Sequence, residues 1–242
     1  MTSRIPARPK TIAAALIALG LTVSGHANAM EYLFGFSYDD GNESLTLNFA
    51  SGGSAVLTTG DKQGWWSATM PNSAGNDDYF VGNPLADSSP QWLRNFFTFD
   101  ISGLRGQTVT SATLTLTNFM SMSDSGQTSL QYTLYDVSTP AALLDAVGGP
   151  NAAIYDDLGS GVSYGSYSLP VTGLDLSTSQ LALNANAVGD LNAAIAGRTP
   201  SFSIGGTLPS LAVPEPPSLL MLSIGLLAAA GLRRQQARPP AR

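Results

Sequence analysis

The side chains in this sequence that could do acid–base chemistry include three adjacent pairs of carboxylates. Such pairs stand at Asp39–Asp40, Asp77–Asp78 and Asp156–Asp157, each near Gly or Asn. Glycoside hydrolysis uses two carboxyl groups that flank one bond. Neighbouring residues on a strand point to opposite faces of a sheet, so an adjacent pair does not form that arrangement. We therefore interpret the pairs as turn residues and expect the protein not to be an enzyme.

Oxygen-rich turns could instead hold a calcium ion, which takes about six to eight oxygen ligands. Asp39, Asp40 and Glu43 surround the turn at Gly41 and Asn42, and they are the candidate ligands. Their spacing does not match the D-x-[DN]-x-[DN]-G calcium loop. We expect no cofactor, and a structural Ca²⁺ at this turn stays open as the alternative.

Thiol and imidazole groups are nearly absent, which excludes several other chemistries. The chain has no cysteine and one histidine, His26, in an N-terminal stretch that we expect to be removed. The mature protein would then lack thiolate zinc sites, a cysteine nucleophile and a Ser-His-Asp triad.

Trp65 and Trp66 are the candidate glycan contacts, because sugar rings stack on exposed aromatic faces. Adjacent strand residues face opposite ways, so one of the two rings could be exposed. Tyr164 and Tyr167, set among Ser and Gly, are further candidates. The alternative that these rings fill the core stays open.

The charges separate the chain into an acidic body and two basic ends. Residues 30–212 hold four basic and sixteen acidic residues, which gives a net charge of −12. Such a body repels phosphate backbones, so we expect no nucleic acid partner. Each basic end flanks an apolar run, a pattern that indicates membrane targeting.

The N-terminal end has the pattern of a secretory signal peptide. Basic residues precede the apolar run Thr11–Val23, and small residues follow at Ala27 and Ala29. This order predicts a signal peptide over 1–29 with cleavage after Ala29.

The C-terminal end combines a proline-rich segment, an apolar run and arginines. Pro214, Glu215 and Pro216 precede Ser218–Leu232, which Arg233–Arg234 follow as a basic stop. The run predicts a transmembrane helix at about 218–232 that reaches roughly 22 Å, with the basic tail in the cytoplasm.

This order resembles the PEP-CTERM sorting signal of Gram-negative bacteria that make exopolysaccharide. The resemblance covers residues 212–242, with the motif at Pro214, Glu215 and Pro216. It implies that exosortase, a membrane protease-transpeptidase, is a partner and that the helix and tail are cut off. It also implies an intermediate anchored in the inner membrane, followed by delivery to the cell surface or extracellular matrix.

The body between these ends has the pattern of β-structure, and these strands must position the side chains above. Apolar and polar residues alternate through Ala112–Thr117 and Leu130–Tyr135, which indicates half-buried strands. Further strands are predicted from composition between turn signals. They are Tyr32–Tyr38, Ser44–Ala50, Ala55–Thr59, Tyr79–Val81, Leu93–Ile101, Tyr164–Val171, Gln180–Leu183 and Ser201–Ile204.

Pro140–Val147 and Ala187–Ala196 instead have helical spacing. We predict one all-β domain over 30–211, a jelly-roll-like antiparallel β-sandwich with one or two short loop helices. Phe97-Thr98-Phe99-Asp100, followed by Val109–Leu114, also resembles the DNRLRE and carbohydrate-binding-module type of surface domain. The body as a whole also looks like an extracellular domain often found ahead of PEP-CTERM signals, with no activity assigned to it. The segments that carry this resemblance are Gln63–Trp66, Tyr79–Gly82, Arg94–Ile101, Val109–Leu114, Tyr155–Gly165 and Asp190–Ala194.

The function that follows is an exported, non-enzymatic surface or matrix protein that is processed by exosortase and associated with exopolysaccharide. A carbohydrate-binding module that recognises the exopolysaccharide directly is the alternative.

Overall fold

Antiparallel strands make up most of the residues that the structure describes. The computed structural model describes residues 30–35, 43–72, 78–84 and 91–209. The strands are β1 Glu31–Gly35, β2 Ser44–Phe49, β3 Ser54–Thr58, β4 Gln63–Ser67, β5 Tyr79–Asn83, β6 Leu93–Asp100, β7 Val109–Ser123, β8 Ser129–Asp136, β9 Ser163–Pro170, β10 Gly173–Ala182 and β11 Ser201–Thr207. The helices are α1 Ala141–Leu144, α2 Ala152–Asp157 and α3 Ala185–Ala196, with a 3-10 turn at Ser102–Leu104.

Side-chain alternation decides which face of each strand is buried. Leu114 and Leu116 of β7 are fully buried, while Thr113 and Thr115 between them are partly exposed. Residues on a strand alternate between faces, so each leucine enters the core and each threonine points away from it. The strands predicted from this alternation are confirmed, and β7 continues beyond the predicted segment to Ser123.

The strands follow one hydrogen-bonded path with the order β3-β2-β7-β1-β5-β6-β11-β8-β9. In addition, β10 pairs with β7 and β4 pairs with β6. Every registered pair is antiparallel, and only Gly82 and Leu93 join β5 to β6. Because a single registered residue pair connects β5 to β6 and most strands share one core, the body is compatible with a β-sandwich.

The main core lies between the strands, and α3 covers part of it. Side chains from most strands form one buried cluster with Ala187, Leu191 and Ile195 of α3. Their spacing of four residues places them on one helix face. The Asn184 side chain accepts hydrogen bonds from the backbone N–H groups of Asn186 and Ala187 and so caps this helix. The helix predicted here is confirmed.

A second buried cluster lies beneath the two shorter helices. Trp66 of β4 and Phe96 of β6 pack there with Leu144 of α1, Ile154 of α2 and Leu158. Phe97, the next residue on β6, belongs to the main core instead. Since Phe96 and Phe97 point to opposite faces, α1 and α2 cover the outer face of this part of the sheet.

Three elements differ from the sequence-based expectation. The strand predicted at Gln180–Leu183 is longer and forms β10 over Gly173–Ala182. Asp156–Asp157 was predicted as a turn but ends the helix α2, which Asn151 caps by accepting from the N–H of Ile154 at 3.2 Å. Residues 63–67 form β4, which the alternation of apolar and polar residues does not predict. Gln63 is buried on one face of this strand, and Gly64 and Trp66 are buried on the other.

The described segments contain no helix long and apolar enough to cross a bilayer. The predicted transmembrane helix at about 218–232 and the predicted signal peptide at 1–29 lie outside these segments.

Candidate functional site

Several predicted site residues lie outside the described part of the chain. They are Ala27, Ala29, Asp39, Asp40, Pro214, Glu215, Pro216, Arg233 and Arg234.

The two candidate glycan contacts on β4 differ in exposure. Trp66 is 3% exposed, and its indole N–H donates to the carbonyl oxygen of Leu144 at 2.9 Å. A ring buried in this way has almost no free face on which a sugar could stack. Trp65 is partly exposed and lies on the opposite face of the strand, opposite Asn95 in register. The structure thus leaves Trp65 alone as a partly accessible ring of this pair.

The candidate tyrosines are also largely enclosed. Tyr164 is buried and stacks on Phe202 with ring centroids 5.9 Å apart. Tyr167 is partly exposed, and its hydroxyl donates to the carbonyl of Ala182 at 2.7 Å. Phe97 and Phe99 are fully buried and also offer no face to a sugar.

Glu43 is the one described member of the predicted calcium turn. Its carboxyl group is fully buried, and neither oxygen has a hydrogen-bond partner among the described residues. Burial raises the pKa of Glu43 to about 8, Asp78 adds to the rise, and polar groups of Gln63 and Thr117 offset part of it. A carboxyl with this pKa is mostly protonated at neutral pH.

Metal-ligating side chains do not cluster among the described residues of the body. Within the described ranges, no three His, Cys, Asp or Glu side chains lie where they could hold one ion.

The two carboxylates of the pair Asp156–Asp157 make different contacts, and those of Asp157 are with its own protein chain. The Asp157 carboxylate accepts from the N–H and hydroxyl of Thr139 at 2.7 and 2.6 Å, and from the hydroxyl of Ser138 at 2.7 Å. Partial burial raises the pKa of Asp157, but these hydrogen bonds outweigh it and hold the pKa below its ordinary value. Asp156 is mostly exposed and lies 3.8 Å from the Arg94 guanidinium. The Asp157 contacts fasten α2 to the segment after β8, whereas Arg94 belongs to β6.

A cavity of about 380 Å³ opens where β8 ends and where β9 and β11 begin. Two carboxylates, Asp136 from β8 and Asp190 from α3, line it together with Tyr164. The Tyr164 hydroxyl donates to Asp190 Oδ2 at 3.1 Å. Burial and the negative charges of Asp190 and Asp136 raise the pKa of Tyr164, so the phenol stays protonated. We call this cavity the acidic pocket.

Sequence reasoning missed the acidic pocket because its residues are far apart in the chain and carry no motif. Asp136 directly follows the predicted strand Leu130–Tyr135, and Asp190 lies within the predicted helix Ala187–Ala196. Only the fold brings the two elements together.

A second, more open cavity of about 690 Å³ lies between α1 and α2. Exposed Leu143 and Val147 line it, with Asp157 at its polar side.

Comparisons with known proteins bear on the segment that follows the body. The PEP-CTERM protein-sorting motif matches residues 212–235. No curated protein and no solved structure matches this chain. The motif implies an exported protein of a Gram-negative bacterium with a membrane-anchored intermediate. The chain therefore carries a PEP-CTERM sorting signal at residues 212–235, and this signal implies processing by exosortase.

Proposed function

We propose that this chain is a non-enzymatic protein of the cell surface or extracellular matrix, associated with exopolysaccharide, whose body is a jelly-roll-like β-sandwich. The observation that carries the proposal is the sorting motif at 212–235, which follows soon after the last strand of the body ends at Thr207. In this proposal a signal peptide over 1–29 starts export, and the apolar run at 218–232 anchors the intermediate in the inner membrane.

The chemistry of the body supports a role without catalysis. Residues 30–209 contain no histidine and no cysteine. The carboxylate of Asp157 is engaged by Ser138 and Thr139 rather than presented to a substrate. The protein would also need no cofactor. A structural Ca²⁺ near Asp39, Asp40 and Glu43 stays a secondary proposal, supported by the oxygen-rich sequence of that turn.

A carbohydrate-binding module is the second candidate function. The acidic pocket favours it, because carboxylates and hydroxyls converge there in a space large enough for a small ligand.

Mass spectrometry of the released protein tests the sorting proposal. In a host with exosortase, the released protein should lack the residues after the motif, while a host without exosortase should retain full-length protein in its membranes. Replacing Pro214, Glu215 and Pro216 by alanine should cause the same retention in the first host. The matched control replaces Pro239 and Pro240, which lie in the tail, and should not change release. Wild-type protein released with Arg242 still attached would contradict the proposal.

A further inference from the structure

The geometry points to the acidic pocket as a binding site for a saccharide that carries a free amino group. The inference deepens the exopolysaccharide association proposed above and rests on it for the biological source of the ligand. It does not depend on processing by exosortase, because the pocket belongs to the body.

The pocket forms where the ends of several elements meet. Asp136 is the last residue of β8, Val162 directly precedes β9, and Ser201 is the first residue of β11. Asp190 reaches the same place from the middle of α3. Ends of strands and their loops are where binding residues gather, because the scaffold there fixes side chains without closing over them.

Each carboxylate uses one oxygen to hold its position and has a second oxygen left over. Asp136 Oδ1 accepts from the backbone N–H of Val162 at 2.5 Å, and Asp190 Oδ2 accepts from the Tyr164 hydroxyl at 3.1 Å. Neither Asp136 Oδ2 nor Asp190 Oδ1 receives a hydrogen bond from the described residues. Ionised carboxylates only accept, so a ligand at these oxygens must supply N–H or O–H donors.

A glycine next to the pocket keeps Asp136 in this position. Gly161 has a φ of +96° and lies so close to Asp136 that a Cβ atom at this position would collide with Oδ1. The positive φ favours glycine, and the missing side chain leaves room for the carboxylate.

Hydroxyl groups in the pocket are also available to a ligand. Thr199 and Ser201 line it, and their side chains make no hydrogen bond with the described residues. A hydroxyl both donates and accepts, which suits the hydroxyl groups of a sugar ring.

The charge of the pocket selects among sugars. Two carboxylates line it, and the described residues of its lining include no Lys or Arg. Hydrogen bonds between an ammonium group and a carboxylate are stronger than neutral ones. An acidic sugar would instead meet two like charges in a body that already has many acidic residues. An amino sugar therefore fits better than a neutral sugar, and a neutral sugar fits better than a uronic acid.

Titration calorimetry on the purified full chain tests the site with three oligosaccharides of equal length: glucosamine, N-acetylglucosamine and glucuronic acid oligomers. We expect the glucosamine oligomer to bind at least ten-fold more tightly than the N-acetylated one, and the glucuronic acid oligomer not to bind. Asp136→Asn and Asp190→Asn keep the oxygens that accept from Val162 and Tyr164, and each should weaken binding at least ten-fold. Asp61→Asn is the matched control, because Asp61 is exposed and lies outside the pocket.

Three outcomes would overturn the inference. The first is the absence of binding by folded wild-type protein, and the second is equal weakening by Asp61→Asn, which would indicate attraction to overall charge. The third is binding of Ca²⁺ alone that requires Asp136 while no sugar binds. Failure here leaves the mass of the released protein unchanged, so the sorting proposal is judged separately.

Discussion

Trp66 and Leu144 are joined by a hydrogen bond of 2.9 Å from the indole N–H to a backbone carbonyl, although 78 residues separate them in the chain. The bond connects β4 to the end of α1 inside the second buried cluster. Trp66 therefore stabilises the attachment of the helices to the sheet.

Trp66→Phe should lower the free energy of unfolding by roughly 1–3 kcal/mol, because it leaves the buried carbonyl of Leu144 without its donor. Urea denaturation followed by circular dichroism measures the change. Leu143→Ala on the same helix is the control, since Leu143 is exposed and its loss should change stability by less than about 0.5 kcal/mol. An equal loss in both variants would contradict this role of the indole.

The buried carboxyl of Glu43 should make the protein less stable as the pH rises. Its pKa is about 8 in the folded state against an ordinary value of 4.5, so folding takes up a proton between these values. The contribution of Glu43 to the free energy of unfolding is therefore greatest below about pH 4.5. It falls by a few kcal/mol as the pH rises to about 8.

Glu43→Gln tests this because the amide is neutral at every pH. Urea midpoints of the wild type should fall between pH 5 and pH 8, whereas those of the variant should change much less. Parallel profiles of the two proteins would show that another group causes the pH dependence.

Replacing Asp157 by alanine should lower the free energy of unfolding much more than replacing Asp156 by alanine. Asp157→Ala removes the acceptor for the Ser138 and Thr139 groups and should cost roughly 1–3 kcal/mol. Asp156→Ala removes only a 75% exposed carboxylate and should cost less than about 1 kcal/mol. Thermal unfolding measures both.

The lowered pKa of Asp157 adds a pH signature to that pair. Its contribution is present above the ordinary pKa of an aspartate and is lost as the pH falls through the lower folded value. The two variants should therefore become more alike in acid. A hydrolytic rate on polysaccharide that disappears with either folded variant would contradict the non-enzymatic proposal.

The predicted cleavage after Ala29 creates a new charge next to Asp124. The backbone nitrogen of Met30 donates to Asp124 Oδ1 at 2.8 Å, and cleavage would turn this amide into an ammonium group. N-terminal sequencing of exported protein should begin at Met30, and exported protein beginning at Met1 would refute cleavage. Asp124→Asn should destabilise the processed protein by about 0.2–1 kcal/mol, as expected for an exposed ion pair.

The sequence predicts the parts of the fold in which one face of an element is buried. Alternation locates β7 and β8, and a spacing of three to four residues locates α3. It does not predict β4, because both faces of this strand carry buried side chains. Gln63 is buried in register with Phe97 of the main core, and Trp66 packs in the second cluster. The six residues of α2 are too few to show a helical period.

The acidic pocket could not be predicted from the sequence at all. Asp136 and Asp190 line one cavity only because β8 ends, β9 and β11 begin and α3 passes at the same place. No spacing of residues in the sequence predicts that these two side chains line the same cavity. The sorting motif differs, because its residues are contiguous in the sequence.

The position of the last strand has a consequence for the order of folding. β11 lies between β6 and β8, and Thr98 and Ser203 share a hydrogen bond across 105 residues of sequence. A chain that crosses a membrane from its N-terminus keeps the inner edges of β6 and β8 unpaired until Thr207 has emerged. Pairing over such separations is slow, and open edges invite aggregation. Because the sorting motif begins only a few residues later, the anchor proposed at 218–232 would reach the bilayer at about the time when the body completes its sheet.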